Sequence, residues 1–197
     1  HIRPGDVADL AALLRSHPGA EYNIEGNPFE GHYLDHVRAV RPTQCTLVPD
    51  DPQAFTSNHG WDVAANAERL GEVIATLNSL GCRVSLFLDA DASQVPHAKA
   101  VGADRIELYT EPYAEAFHAG RGKAGVHAFA ETARAAHEHG LGVNAGHDLS
   151  IANLPFFLAE VRHVLEVSIG HALIADALEM GYATAVRAYL RAIEAHA

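Results

Sequence analysis

Three observations predict an α/β fold and, within that class, a parallel barrel of the TIM (β/α)8 type. Six short apolar runs alternate with helical patterns, which is how parallel strands joined by right-handed crossovers read in sequence. Nearly every run ends in polar or glycine residues: Glu25-Gly26-Asn27, Pro49-Asp50-Asp51, Asp89-Ala90-Asp91, Glu107 with Thr110-Glu111, Asn144 with His147, and Gly170-His171. Loops that carry chemistry at the C-terminal ends of every strand fit a barrel rim. An open doubly wound sheet would gather its chemistry at one switch point behind a glycine-rich first turn, and no G-x-G-x-x-G turn follows the first strand.

Taken in order, Arg3-Pro4-Gly5-Asp6 leads into a helical pattern of Val7, Leu10, Leu13 and Leu14. This helix closes a unit whose strand is not in the sequence, so the first one or two β/α units are expected to lie before His1. Residues 1–197 are then a single barrel domain, incomplete at its N-terminus. Strands are predicted at 21–25, 45–48, 84–88, 106–109, 141–143 and 165–169, with helices at 29–40, 62–80, 92–101, 125–139, 151–161 and from 172 onward. Asp148 and Ser150 are placed to cap the helix that starts at Ile151. The stretches 50–60 and 112–124 are expected to be lid loops over the rim.

Composition narrows the class. A chain of 197 residues that is 48% hydrophobic can bury one core. A net charge of -11 argues against nucleic acid as a partner, since backbone binding needs basic surface. Phosphorylated small molecules remain open, because helix N-termini bind phosphate whatever the global charge. No apolar segment is long enough for a bilayer span, so no membrane partner is expected. Cys45 and Cys82 each open an apolar run and form neither a disulfide framework nor a zinc pattern. Buried, inert thiols and a cytoplasmic location follow.

The candidate chemistry sits at the strand ends. Asn23 and Glu25 point to one side under the period of two, and an inward carboxylate is costly in a barrel interior that is normally apolar unless it is used. Glu107 alternates with Ile106 and Leu108, with Arg105 and Tyr109 on its own side, so it is either a site carboxylate or half of an ion pair. His147 ends the run Leu141-Gly142-Val143-Asn144-Ala145-Gly146 and suits general acid or base work. Gly170-His171 opens the last helix after the last strand, the usual phosphate position of such barrels.

Two patterns are set aside. His32 and His36 lack the Glu of H-E-x-x-H and a third ligand, so no metal site is assigned. The stretch Gly120-Arg121-Gly122-Lys123-Ala124-Gly125 lacks the P-loop spacing. Lys99 and Lys123 lie outside every predicted strand, which leaves carboxylate and imidazole chemistry rather than a Schiff base.

The ordered set Asn23-Ile24-Glu25, Leu47-Val48-Pro49, Ser85 through Asp91, Ile106-Glu107, Val143-Asn144-Ala145-Gly146-His147 and Ile169-Gly170-His171-Ala172 resembles the pyridoxine 5'-phosphate synthase family. The resemblance implies a (β/α)8 barrel that condenses 1-deoxy-D-xylulose 5-phosphate with 3-amino-2-oxopropyl phosphate, releasing phosphate and water, without metal or organic cofactor and as a homo-oligomer, an octamer in the family. It implies Glu25 as base, His147 as proton donor and Glu107 as the carboxylate that stabilises charge in the transition state. His1 and Thr56 match positions that hold the deoxyxylulose phosphate; Gly170 and His171 match those that hold the aminoketone phosphate. Asp148 falls among the substrate contacts, where the family usually has glycine. A further catalytic histidine of the family, with a nearby arginine, would lie before His1. Two rival readings are another phosphate-substrate barrel, an isomerase or lyase, and a non-catalytic barrel that binds phosphate metabolites.

Overall fold

The structure, a computed structural model, describes residues 2–51 and 56–195. Helix α1 (Pro4–Leu14) leads to β1 (Asn23–Gly26), α2 (Tyr33–Val40), β2 (Gln44–Leu47), α3 (Ala67–Ser79) and β3 (Arg83–Leu88). A 3-10 turn (Ala92–Gln94) and α4 (Val95–Ala100) reach β4 (Arg105–Tyr109), followed by α5 (Glu111–His118), α6 (Gly122–Gly125), α7 (His127–Glu138) and β5 (Gly142–Gly146). The chain continues through α8 (Leu154–Glu160) and β6 (Val164–Ser168) to α9 (His171–Met180) and α10 (Tyr182–Glu194). All six strands are parallel, and their order in the sheet is their order in the chain.

The sheet is curled. Gln44 Nε2 of β2 donates to Glu166 Oε1 of β6 at 3.2 Å, and Thr46 of β2 reaches Glu107 of β4. Side chains of non-adjacent strands meet only across a trough, so these strands trace part of a barrel with β1 and β6 as its edges. The expected eight-strand closure is not present among the described residues.

Alternation separates the two faces. Cys45, Leu47, Val84, Leu86, Leu88, Ile106, Leu108, Val143 and Ala145 face the helices and form the core with Val37, Leu70, Ile74, Leu77, Tyr113 and Phe157. Each fully buried side chain of this size contributes about 1.5–3 kcal/mol. The concave face is polar, contrary to the apolar barrel interior expected. Toward the strand N-termini, Arg83 Nε donates to Gln44 Oε1 at 2.7 Å, and Arg105 Nη1 donates to both Glu166 Oε2 and Asn144 Oδ1 at 2.9 Å. Arg83 also pairs with Glu21. Charges can line this face because each is matched by an opposite charge or an amide.

Several elements differ from expectation. The stretch 112–124 is not a loop, because Tyr113, Ala114 and Phe117 recur at helical spacing, and α5 buries the first two and packs half-buried Phe117 against the core. Tyr113 packs against Phe129 and Phe157, and its hydroxyl donates to Asn153 O at 2.7 Å. The Gly120, Gly122 and Gly125 spacing joins helix to helix, and Gly125 is needed because a Cβ there would lie 2.5 Å from Ala116 Cβ. Neither Asp148 nor Ser150 caps α8 through its side chain; Asn153 takes the N-cap position, and its Oδ1 accepts from Ser150 N at 2.8 Å. The last helix is two helices broken at Gly181, whose φ is 86°. Helix α2 starts at Tyr33, four residues later than predicted, after a turn through Gly31.

Candidate active site

Glu25 and Glu107 both face the trough, as the period of two requires. Glu25 pairs in register with Thr46, which pairs with Ser85, while Glu107 pairs with Phe87 and Asn144. Glu107 is fully buried. Its Oε2 lies 3.5 Å from Thr46 Oγ1, and that hydroxyl also reaches Asn23 Oδ1 at 3.2 Å, so its single proton serves one acceptor at a time. Among the described residues Glu107 Oε1 has no hydrogen-bond partner, and neither do Ser85 Oγ and Asn144 Nδ2 on the same face. Arg105 does not pair with Glu107; it is engaged by Glu166.

The environment raises both carboxyls from the usual carboxylate range into the neutral one. For Glu107 the causes are burial first, then the charges of Glu25 and Glu166, against a weaker pull from the Ser168 and Thr46 hydroxyls. For Glu25, whose side chain is exposed at the β1 edge, they are the partial loss of water beside the trough and then Asp50. Water still reaches Glu25 at the open edge beside β1, so its shift is the smaller of the two. Burial and the neighbouring carboxyls thus favour the uncharged acid of Glu107, a form that can donate a hydrogen bond.

His147 stands at the rim above these groups. Its ring packs on Phe87 at 4.9 Å and on Tyr109 at 5.5 Å between centroids. Burial lowers its pKa, opposed by Asp148 and Asp50 and reinforced by His171, so the neutral imidazole prevails at neutral pH. His147 and Asp148 have φ of 77° and 58°, consecutive left-handed residues that cost strain unless held. Thr110 holds them: its backbone N–H donates to Gly146 O at 2.8 Å, and its hydroxyl proton serves either Gly146 O, at 2.7 Å, or His147 O. The positive φ at Asp148 is one that glycine adopts most freely, and Asp is among the side chains that tolerate it best.

The remaining expected residues spread along the same rim. Asp148 and His171 line one cavity of about 460 Å³ with Glu111, Glu115 and Ser150. Gly170 is the N-cap of α9, no side chain caps that helix, and a Cβ at Gly170 would meet nothing within 4 Å. Glycine is therefore demanded there neither by packing nor by a positive φ. Thr56 is exposed in the loop after β2, next to Ser57, whose hydroxyl donates to the Asp50 carboxylate. His1 lies outside the described residues. His32 pairs with Asp35 at 3.3 Å on an exposed helix start. Sequence reading missed Asp50, which acts on both Glu25 and His147, and the Phe87 and Tyr109 rings under His147; Asp50 stands at a strand end, the signal that could have found it.

The model of the family described as pyridoxal phosphate biosynthesis protein PdxJ matches residues 1–195. The chain belongs to this family. A pyridoxine 5'-phosphate synthase of Xanthomonas campestris pv. campestris is 55% identical over 199 residues, covering 98% of this chain and 77% of that protein. One of Albidiferax ferrireducens is 53% identical over 198 residues, covering 98% and 78%. Among solved structures, 3-keto-L-gulonate-6-phosphate decarboxylase from Vibrio cholerae superimposes with a TM-score of 0.65 at 12% identity, covering 97% of this chain and 80% of that one. The Amycolatopsis orientalis BexX/CysO complex gives 0.56 at 18%, covering 84% and 62%. At these identities the two structures speak for the fold alone.

Proposed function

We propose that this chain is a pyridoxine 5'-phosphate synthase, joining 1-deoxy-D-xylulose 5-phosphate to 3-amino-2-oxopropyl phosphate with release of phosphate and water. The observation that carries the reading is an acid–base set tuned to neutral pH on one rim of a chain that matches the family along its length. Glu25 is raised toward neutrality, so it exchanges a proton at little cost, and burial holds His147 as the free imidazole, ready to accept one.

In this reading the amine and ketone of the substrates condense to an imine with loss of water. Glu25 takes protons from the joined skeleton. Neutral His147 accepts a proton and returns it to the departing oxygen, and Glu107 offers its acid proton to charge that develops on the opposite side. The uncapped α9 N-terminus at Gly170 and His171 holds the aminoketone phosphate; Thr56 and His1 hold the deoxyxylulose phosphate; Asp148 contacts substrate at the turn. No metal or organic cofactor enters the scheme. The working form is a single-domain (β/α)8 barrel in a cytoplasmic homo-oligomer, an octamer as the family resemblance implies. Barrel closure between β1 and β6 is supported by apolar side chains exposed near both edges: Leu13 is 56% exposed on α1, Leu165 65% on β6 and Leu178 85% on α9.

The test is joint consumption. Both substrates should disappear together as pyridoxine 5'-phosphate and inorganic phosphate appear in equal amounts. Turnover of one substrate alone would point to an isomerase or lyase, and binding without phosphate release to a non-catalytic barrel; either would overturn the proposal.

A further inference from the structure

Two inward positions of β5, Asn144 and Gly146, meet Glu107 in different ways. A Cβ at Gly146 would lie 2.4 Å from Glu107 Oε1 and 3.1 Å from Ser168 Cβ, so the carboxyl occupies space that any other residue would fill. Gly146 is not among the residues with positive φ, and the requirement is therefore spatial. Asn144 lies two residues earlier on the same face, directly across from Glu107 in the parallel register. Its Oδ1 accepts from Arg105 Nη1 at 2.9 Å, and because a guanidinium has only donors, this contact fixes which end of the amide is which. The Nδ2 end is buried and has no partner, like Glu107 Oε1 on the neighbouring strand. Arg105 is itself held by Glu166 Oε2 at 2.9 Å, and Glu166 by Gln44.

Ionised Glu107 would need donors that the rest of the trough supplies poorly. The groups facing it are Glu25 from β1, Thr46 from β2, and Glu166 and Ser168 from β6; Arg105, on its own strand, is committed to Glu166, and Arg83 of β3 to Glu21 and Gln44. Thr46 divides its one proton between Asn23 and Glu107. Ser168 offers a single hydroxyl proton, and the orphaned donors of Asn144 are the further supply.

We propose that Asn144 is a positioning residue for the reaction: its N–H donors, oriented by Arg105 and Glu166 and unpartnered beside the Gly146 slot, take up the Glu107 carboxylate when a substrate takes its proton. This inference rests on the role given to Glu107 above. Infrared difference spectra of the full chain across pH read Glu107 directly through the carboxyl band of its acid form, assigned by the loss of that band in Glu107→Gln. In Asn144→Ala the midpoint of that titration should rise by about one unit, since a donor to the charged form is lost. Steady-state kcat should fall about tenfold with KM nearly unchanged, because the donor matters only once Glu107 is ionised. If Asn144→Ala does not fold, Asn144→Ser, which keeps a shorter donor, should show a smaller rise of the same sign. An unmoved midpoint in a folded variant, or parallel losses in kcat and KM with no titration change, would overturn the inference. A shifted midpoint in a chain that makes no product would instead sink the functional reading and leave the link between Asn144 and Glu107 standing.

Discussion

Leu86 and Ile106 on the convex face of the sheet, and Thr46, Glu107 and Asn144 on its concave face, all have no exposed surface, yet the two sets serve opposite ends. The convex residues meet helices and contribute through apolar area, where any side chain of similar volume would serve almost as well. The concave ones are dry and polar, with two orphaned polar atoms among them, on Glu107 and Asn144, and a third on Ser85 of the same face. Burial alone therefore does not tell core from site in this molecule. What separates them is whether the buried group has a partner, and the unpartnered groups gather where a reaction would supply one.

Substitutions can break this contrast. The largest effect is expected at His147: His147→Asn should lower kcat by roughly 10²–10⁴-fold while the melting temperature barely moves, checked by steady-state kinetics beside calorimetry. A loss confined to stability would put His147 with the core. On the other face, Leu108→Ala should cost about 2–5 kcal/mol in denaturant unfolding and leave the kinetics of the folded enzyme intact.

Glu107→Gln should do what no convex substitution does and stabilise the chain while impairing it. Between the ordinary carboxylate range and the raised one of the folded state, the native protein keeps a proton that the unfolded chain has released. Stability therefore falls as pH rises through that window. The amide removes this dependence, so its gain in melting temperature should be near zero at about pH 4 and grow toward about pH 8, the reverse of what an ion-paired carboxylate would show. The smallest effect is expected from Tyr33→Phe, whose hydroxyl donates to Ile24 O at 3.0 Å behind the sheet; about 1 kcal/mol of stability should go, with activity unchanged.

Much of this was legible in the sequence. Strand-helix alternation placed all six strands with ends off by at most three residues, and the period of two put Glu25, Glu107 and Tyr109 on the concave side before any coordinates. These are local signals. The polar plug was not legible, because Gln44 meets Glu166 across 122 residues and nothing near either predicts the other. Helix α5 was hidden by the glycines and charges that follow it, although Tyr113, Ala114 and Phe117 carried the helical period. The cap at Asn153 was lost to the more conspicuous Asp148 and Ser150; Asp148 lies in a left-handed turn with His147, and α8 starts only after Asn153. The protonation of Glu107 depends on carboxyls from three strands brought together by the curl, which no single stretch reports.

The most direct test of the division between the faces is single-turnover phosphate release by Glu25→Gln with both substrates bound. The account predicts a protein with unchanged melting temperature and circular dichroism that binds both phosphates and releases almost none. Release at close to the wild-type rate would contradict it and remove the concave carboxyl from the chemistry.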